Sequence, residues 1–302
     1  RNLALHLKKK NKYKILLCSR NNKINLDVFN KIGINVSPID ISSIESLRDV
    51  FNYFKPNIVV HAAATKFVDL SEKEPMECVD VNVLGSQNVL RVSIENNLET
   101  LIGISTDKAA PPVGNIYGHS KAIMERMFTS MSNKTKTKIA CVRFGNIAWS
   151  TNSIFPIFKE MTKNNKIIKS TGYNMRRFFF SVEEASKLVE TSIINISKIN
   201  GGILSLKMKS AQIESILDVW CSKYNIKWKK IPPRPGDKVD EFLIGDEEIK
   251  SCKIIKLQNN LYYLIKFNEL FKNNIKQSVS TMNSSKLSKK EILKLINNNP
   301  NI

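Results

Sequence analysis

An α/β fold built on a doubly wound parallel sheet is predicted by three observations. Short apolar runs, of the kind found in strands covered on both faces, recur along the first half of the chain. Amphipathic helical stretches alternate with them, which is the pattern of a parallel sheet wrapped by helices. The runs end in small or polar residues, at the sheet edge where ligands collect in such folds.

Each element follows from its residues. Leu3 to Lys10 reads as the remainder of an amphipathic helix, and Lys14 to Ser19 as a buried strand. Leu26 to Ile32 is helical, and Ile34 to Ile39 is a second strand ending at Asp40. Ile44, Leu47, Phe51 and Phe54 keep helical spacing up to Pro56, which cannot continue a helix. Asn57 to His61 is a third strand running into Ala62-Ala63-Ala64, and Pro75 suits the first turn of one long helix reaching about Asn97. Thr100 to Ser105 and Lys138 to Arg143 are further strands, on either side of a helix that carries Tyr117. Beyond Arg143, helices are expected over Phe155 to Lys163, Val182 to Asn195 and Ile213 to Tyr224. Met175 to Phe180 separates the first two as a basic-aromatic segment, and Ile203 to Leu206 and Ile226 to Lys229 read as short strands. Ile254 to Leu257 and Tyr262 to Phe267 suit a hairpin, Ser278 to Ser288 a mobile loop, and Lys289 to Ile296 a last short helix. The expected division is 1–150, 151–250, and 251–302 as an extension without an assigned role.

A dinucleotide-binding half normally opens with a strand and a Gly-rich turn. Here the first residues already read as the helix that follows such a turn, and no G-x-G-x-x-G occurs. The expectation is that this sequence lacks the first strand and the phosphate turn, which would weaken cofactor binding.

The 302 residues, 42% apolar and 25% charged, suit a globular protein with a full core. No apolar run approaches the roughly 18 residues of a membrane span, so a cytoplasmic protein with no membrane partner is expected. Five scattered Cys without a C-x-x-C pair argue against disulfides and zinc, and three separated His argue against any metal site. The net charge of +20 is read as a Lys-rich bias over solvated faces; no nucleic-acid-binding signature accompanies it.

The chemistry concentrates between Ile104 and Lys121. Tyr117 and Lys121 are four apart, so a helix projects both from one face. An ammonium near a phenol lowers a pKa that is ordinarily about 10. Such a Tyr takes a proton from an alcohol while hydride leaves the same carbon. Thr106 stands at the strand end as the third hydrogen-bonding member, and Asp107 and Lys108 add an acid and a base.

Five motifs occur in order: Asp80 to Val89, Ser105-Thr106-Asp107-Lys108-Ala109, Tyr117-Gly118-x-x-Lys121, Arg143-Phe144-Gly145-Asn146 and Arg234-Pro235-Gly236-Asp237-Lys238. Together they resemble the extended short-chain dehydrogenase/reductase superfamily. Within it, the chain over about residues 2 to 250 is similar to the UDP-N-acetylglucosamine 4,6-dehydratases and related polysaccharide-biosynthesis proteins. The resemblance implies a Rossmann-type domain, a nicotinamide cofactor, a nucleotide-sugar substrate held by a smaller carboxyl-terminal region, and a homo-oligomer. Arg20 after Ser19 suits a 2′-phosphate, so NADP is expected, with NAD as the alternative. Asp40 and Ile41 would flank the adenine, Ala62, Ala63 and Ala64 would line the dinucleotide, and Lys66 would stand at the site mouth toward both cofactor and substrate. Asn82 resembles the superfamily's active-site Asn. Asn146, Arg177, Arg234 and Asp237 would contact the nucleotide sugar, with Asp237 where relatives usually carry Glu; Arg176 is left to a salt bridge.

In the implied reaction Tyr117 deprotonates the sugar 4-hydroxyl, Lys108 removes the C5 proton, and Asp107 protonates the departing 6-hydroxyl. Lys108 would then need a depressed pKa, and Asp107 a raised one. The dipeptide Asp107-Lys108 favours dehydration. A 4-epimerase or 5-epimerising relative is the alternative, and a non-catalytic basic scaffold retaining the fold is the second.

Overall fold

Four parallel strands form the backbone of the main sheet in a computed structural model that describes residues 1–151, 153–165, 167–232 and 237–299. In chain order the strands are β1 (Leu16–Ser19), β2 (Asn35–Pro38), β3 (Ile58–His61), β4 (Thr100–Thr106) and β5 (Lys138–Phe144). There follow β6 (Asn146–Ile147), β7 (Ile167–Ser170), β8 (Arg176–Phe180), β9 (Ile203–Leu206) and β10 (Lys209–Gln212). The last are β11 (Lys227–Lys230), β12 (Phe242–Ile244), β13 (Cys252–Leu257), β14 (Asn260–Ile265) and β15 (Val279–Ser280).

The main sheet has the order β13-β14-β9-β5-β4-β3, in which β3, β4, β5 and β9 run parallel. Strand β14 joins antiparallel to β9, and β13 antiparallel to β14. The expected hairpin is present, turning on Gln258 and Asn259, both with positive φ. Strands from both sides of residue 150, and from beyond 251, thus share one sheet. Strands β1 and β2 pair in parallel with each other, as a two-stranded sheet of their own.

The core explains the order. Central β4 and β5 are buried almost throughout, with Leu101, Ile102, Ile139 and Val142 fully enclosed by helices on both faces. At Gly103 a Cβ would meet Phe128 at 2.9 Å, so the glycine lets the helix Ile116–Met131 lie close on the sheet. Side-chain caps start the helices: Asn21, Ser43 and Asn115 each accept from the backbone amide three residues on, and Ser181 forms a capping box with Glu184. A second core gathers around Trp220, with Phe155, Phe158 and Trp149 packed on it and Ile292 and Ile296 closing it from the last helix, Lys289–Asn297.

Three expectations are corrected. Met175 to Phe180 is not a mere separator: Arg176–Phe180 is β8, central in a small sheet of order β10-β8-β6, because its aromatic side chains are buried. The helix from Pro75 is not continuous. Pro75–Val79 widens into a π turn over Asp80–Leu84 before Gly85–Glu95, and π turns gather at functional sites. Ser278 to Ser288 is not a free loop. Val279–Ser280 pairs with β12, Thr281 is fully buried, and the Ser210 amide donates to the Ser285 carbonyl, so neighbouring backbone holds this segment in place.

Among the described residues no helix is long and apolar enough to cross a membrane.

Candidate active site

Strand β4 ends at Thr106, where the chain turns through one short 3₁₀ turn, Asp107–Ala109, before Asn115 caps the helix Ile116–Met131. Gly118 allows that turn to lie against the helix start, since a Cβ there would sit 2.3 Å from the Lys108 carbonyl oxygen. The result is a cleft of about 510 Å³ at the carboxyl edge of the parallel strands. Thr106, Lys108, Tyr117 and Lys121 line it, together with Ala62, Ala64, Lys66, Asn146, Arg177 and Asp237.

Asp107 is buried beside this group. Its Oδ1 accepts from Thr106 Oγ1 at 3.0 Å and from Lys108 Nζ at 3.1 Å, while its Oδ2 has no hydrogen-bond partner. Burial, first, and the nearby Glu241 charge raise its pKa, against the pull of Lys108.

Lys108 departs from expectation. The sequence reading asked for a depressed pKa, and burial does press that way. The carboxylates of Asp107 and of Glu241, whose Oε1 lies 3.2 Å from Nζ, outweigh burial and hold the ammonium above the ordinary lysine range. Tyr117 departs too. Burial lifts its phenol to about 12, and Lys108 and a Thr106 hydrogen bond pull it only part of the way back. Lys121 is the group that burial lowers, to about 8; its Nζ meets the Met124 sulfur at 3.2 Å. Behind it, burial drives His61 down to about 3, with Lys121 adding to the effect, so this His is neutral; its Nε2 contacts Ser86 Oγ at 2.9 Å.

The remaining predicted residues divide. Asn82 is fully buried away from the cleft lining and clasps the chain after β3: its Oδ1 accepts from the Thr65 amide at 2.8 Å and its Nδ2 donates to the Thr65 carbonyl and to Ser120 Oγ. It shapes the cleft wall rather than facing it. Ser19, Arg20, Asp40 and Ile41 stand at the ends of β1 and β2. Arg20 is exposed, 3.3 Å from Glu77 and 4.0 Å from Asp40, and Ser19 Oγ donates to Asn25. Lys66 donates to the Thr151 carbonyl, and Ala63 is exposed beside its two lining neighbours. Arg177 is buried in the cleft wall, its Nη1 donating to the Arg176 and Val239 carbonyls. Arg176 forms the expected salt bridge, at 2.5 Å to Asp240. Arg234 lies outside the described residues.

The chain matches, over residues 4–288, the family described as polysaccharide biosynthesis protein. It belongs to that family. An uncharacterised membrane protein of Methanocaldococcus jannaschii is 40% identical over 205 residues, 64% of this chain and 61% of the relative. A UDP-N-acetylglucosamine 4,6-dehydratase (inverting) of Campylobacter jejuni is 33% identical over 208 residues, 67% of this chain and 59% of the relative. The chain therefore spans about three fifths of the length of these curated relatives. Among solved structures, that of Pen from Bacillus thuringiensis superposes with a TM-score of 0.87 at 25% identity, over 99% of this chain and 94% of that one.

Sequence reasoning about this polysaccharide biosynthesis protein missed two buried charges sets. One is Glu241, which reaches Lys108 and stands 3.7 Å from Arg177. The other is Arg143, which stands at the end of β5 and is held by Glu125 and Glu248. Arg143 belongs to one of the five motifs; its partners carry no local signal, being single acids on distant helical turns.

Proposed function

We propose that this chain is a nucleotide-sugar 4,6-dehydratase acting on UDP-N-acetylglucosamine or a close relative. The observation that carries the reading is the convergence of a phenol, an amine and a buried carboxyl, Tyr117, Lys108 and Asp107, at one cleft. The Campylobacter jejuni relative supports the substrate class.

The residues present fit a nicotinamide dinucleotide at both ends. Tyr117 and Lys121 would hold the nicotinamide ribose, with the small Ala62 and Ala64 leaving room beside them, and Arg20 would meet a 2′-phosphate, favouring NADP over NAD. When bound, this cofactor supplies the acceptor for a C4 hydride and the donor that returns it to C6. The chain's own residues handle the protons. Tyr117 removes the O4 proton, and the ammoniums around it stabilise the phenolate as it forms. The 4-ketone acidifies C5, whose proton goes to Lys108. Asp107, whose pKa burial raises, donates to O6 as water departs. Asn146 and Arg177 in the cleft wall, with Asp237, are the contacts for the nucleotide diphosphate end.

The deciding experiment is NMR analysis of UDP-N-acetylglucosamine turned over in deuterated water. Dehydration gives deuterium at C5 and a methyl at C6. A product epimerised at C4 with no C5 deuterium would replace this reading with the epimerase one.

A further inference from the structure

Lys108 presents a problem that its surroundings also answer. To take a proton from carbon it must be an amine, yet it rests as an ammonium whose side chain is 15% exposed, between the carboxyl groups of Asp107 at 1% and Glu241 at 5%. Bulk water is thus a poor acceptor for its proton. Asp107 is committed elsewhere: in the dehydratase reading it carries the proton that goes to O6, and its Oδ1 already takes two hydrogen bonds. Glu241 remains, with Oε1 at 3.2 Å from Lys108 Nζ.

Glu241 is itself fixed from outside the Lys108 segment. Its amide donates to Thr281 Oγ1 at 3.1 Å and its carbonyl accepts from the Thr281 amide at 2.9 Å. Arg177 Nε lies 3.7 Å from the same Oε1. The charged and titratable groups facing this pair are therefore Asp107 from the 3₁₀ turn, Tyr117 from the catalytic helix and Arg177 from β8.

Resting on the dehydratase reading, we propose that Glu241 is the positioning and proton-storing residue for Lys108 in the elimination step. The Lys108 Nζ–H bond breaks as a Glu241 Oε1–H bond forms, so ammonium and carboxylate become amine and carboxylic acid with no net change in charge. Exchange of two opposite charges for two neutral groups is favoured by a water-poor site once substrate fills the cleft. The amine then takes the C5 proton, and the resulting ammonium, whose other positions carry solvent-derived hydrons, later gives one of its hydrons back to C5. The proton stored on Glu241 goes back to Lys108, which closes the cycle.

The test is the pH dependence of C5 deuterium incorporation, measured by NMR on the full chain with its nicotinamide cofactor and UDP-N-acetylglucosamine, for wild type, Glu241→Gln and Glu241→Asp. In the wild type the active form is a tautomer with the same number of protons, so the exchange rate should be flat across neutral pH. In Glu241→Gln the proton must leave for solvent, so the rate should rise about tenfold per pH unit. Glu241→Asp should recover the flat profile at a lower rate, while single-turnover cofactor reduction stays within about threefold of wild type in both variants. A merely structural role would lower both half-reactions together and leave the profile unmoved. A flat profile in Glu241→Gln, or a wild-type profile that already rises tenfold per unit, overturns the proposal. Absence of any C5 exchange in the wild type overturns the dehydratase reading itself, and is distinguishable because it needs no variant.

Discussion

Replacing Arg143 with Met should be among the most damaging single changes available outside the cleft. The guanidinium is fully buried, and each of its five N–H groups has a partner. Nε and Nη2 donate to Glu125 at 3.0 and 2.7 Å, Nη1 and Nη2 to Glu248 at 2.9 Å each, and Nη1 to the Leu243 carbonyl at 2.8 Å. Burial alone would lower its pKa, but the two carboxylates hold it well above the ordinary value. Met fills similar volume without charge, leaving two carboxylates, 1% and 3% exposed, without a counterion. Removing one partner of a buried pair costs about 3–5 kcal/mol, and this cation serves two anions, so the upper end applies. Against a total of roughly 5–15 kcal/mol, the variant should lie near the edge of folding. Urea unfolding followed by circular dichroism would give the loss. Adding Glu125→Gln and Glu248→Gln should restore a large part of it, because three apolar or neutral side chains no longer include an unpaired charge. A loss below about 1 kcal/mol in the single variant, or no recovery in the triple variant, would refute the charge reasoning.

Other expectations are narrower. Tyr117→Phe should stop cofactor reduction in a single turnover, with a fall on the order of 10²-fold or more and unchanged unfolding; normal turnover would remove the phenol from the proposed chemistry. Lys121 has a folded pKa of about 8 against an ordinary 10.5, so the unfolded chain binds more protons between those values. Its burial penalty is fully present below about pH 8 and fades as pH rises, so stability from this group increases from about 8 toward 10. The stability difference between wild type and Lys121→Met, measured against pH, should narrow in that window, and a constant difference would refute the assignment. Gly118→Ala would press a Cβ on the Lys108 carbonyl, so a loss of about 1–3 kcal/mol and a slower C5 exchange are expected from melts and NMR.

What could be foreseen divides by how local its cause is. Thr106, Asp107, Lys108, Tyr117 and Lys121 were legible because one strand-turn-helix segment holds them all, and helical spacing states which share a face. The parallel strands were legible from their apolar runs. The charge states were not, since the shift of Lys108 depends not only on the adjacent Asp107 but also on Glu241, 133 positions away in the chain and unmarked by any spacing. Asn82 was recognised by its motif, but a π turn aims it at Thr65 instead of the cleft, and no residue preference announces such a turn. The order of 279–281 came likewise from a partner strand, β12, and not from its own composition.

Among the described residues β1 pairs with β2 and no other strand, which has a consequence for timing. Each strand contributes four residues to a ladder that ends with its partner, so opening it breaks few hydrogen bonds and leaves the six-stranded sheet standing. Amides of Leu16–Ser19 and Asn35–Pro38 should then exchange with deuterated solvent well ahead of those in β4 and β5. The hand that carries Arg20 and Asp40 is thus loosely tethered, while Thr106 at the end of β4 keeps its place on a sheet buried on both faces.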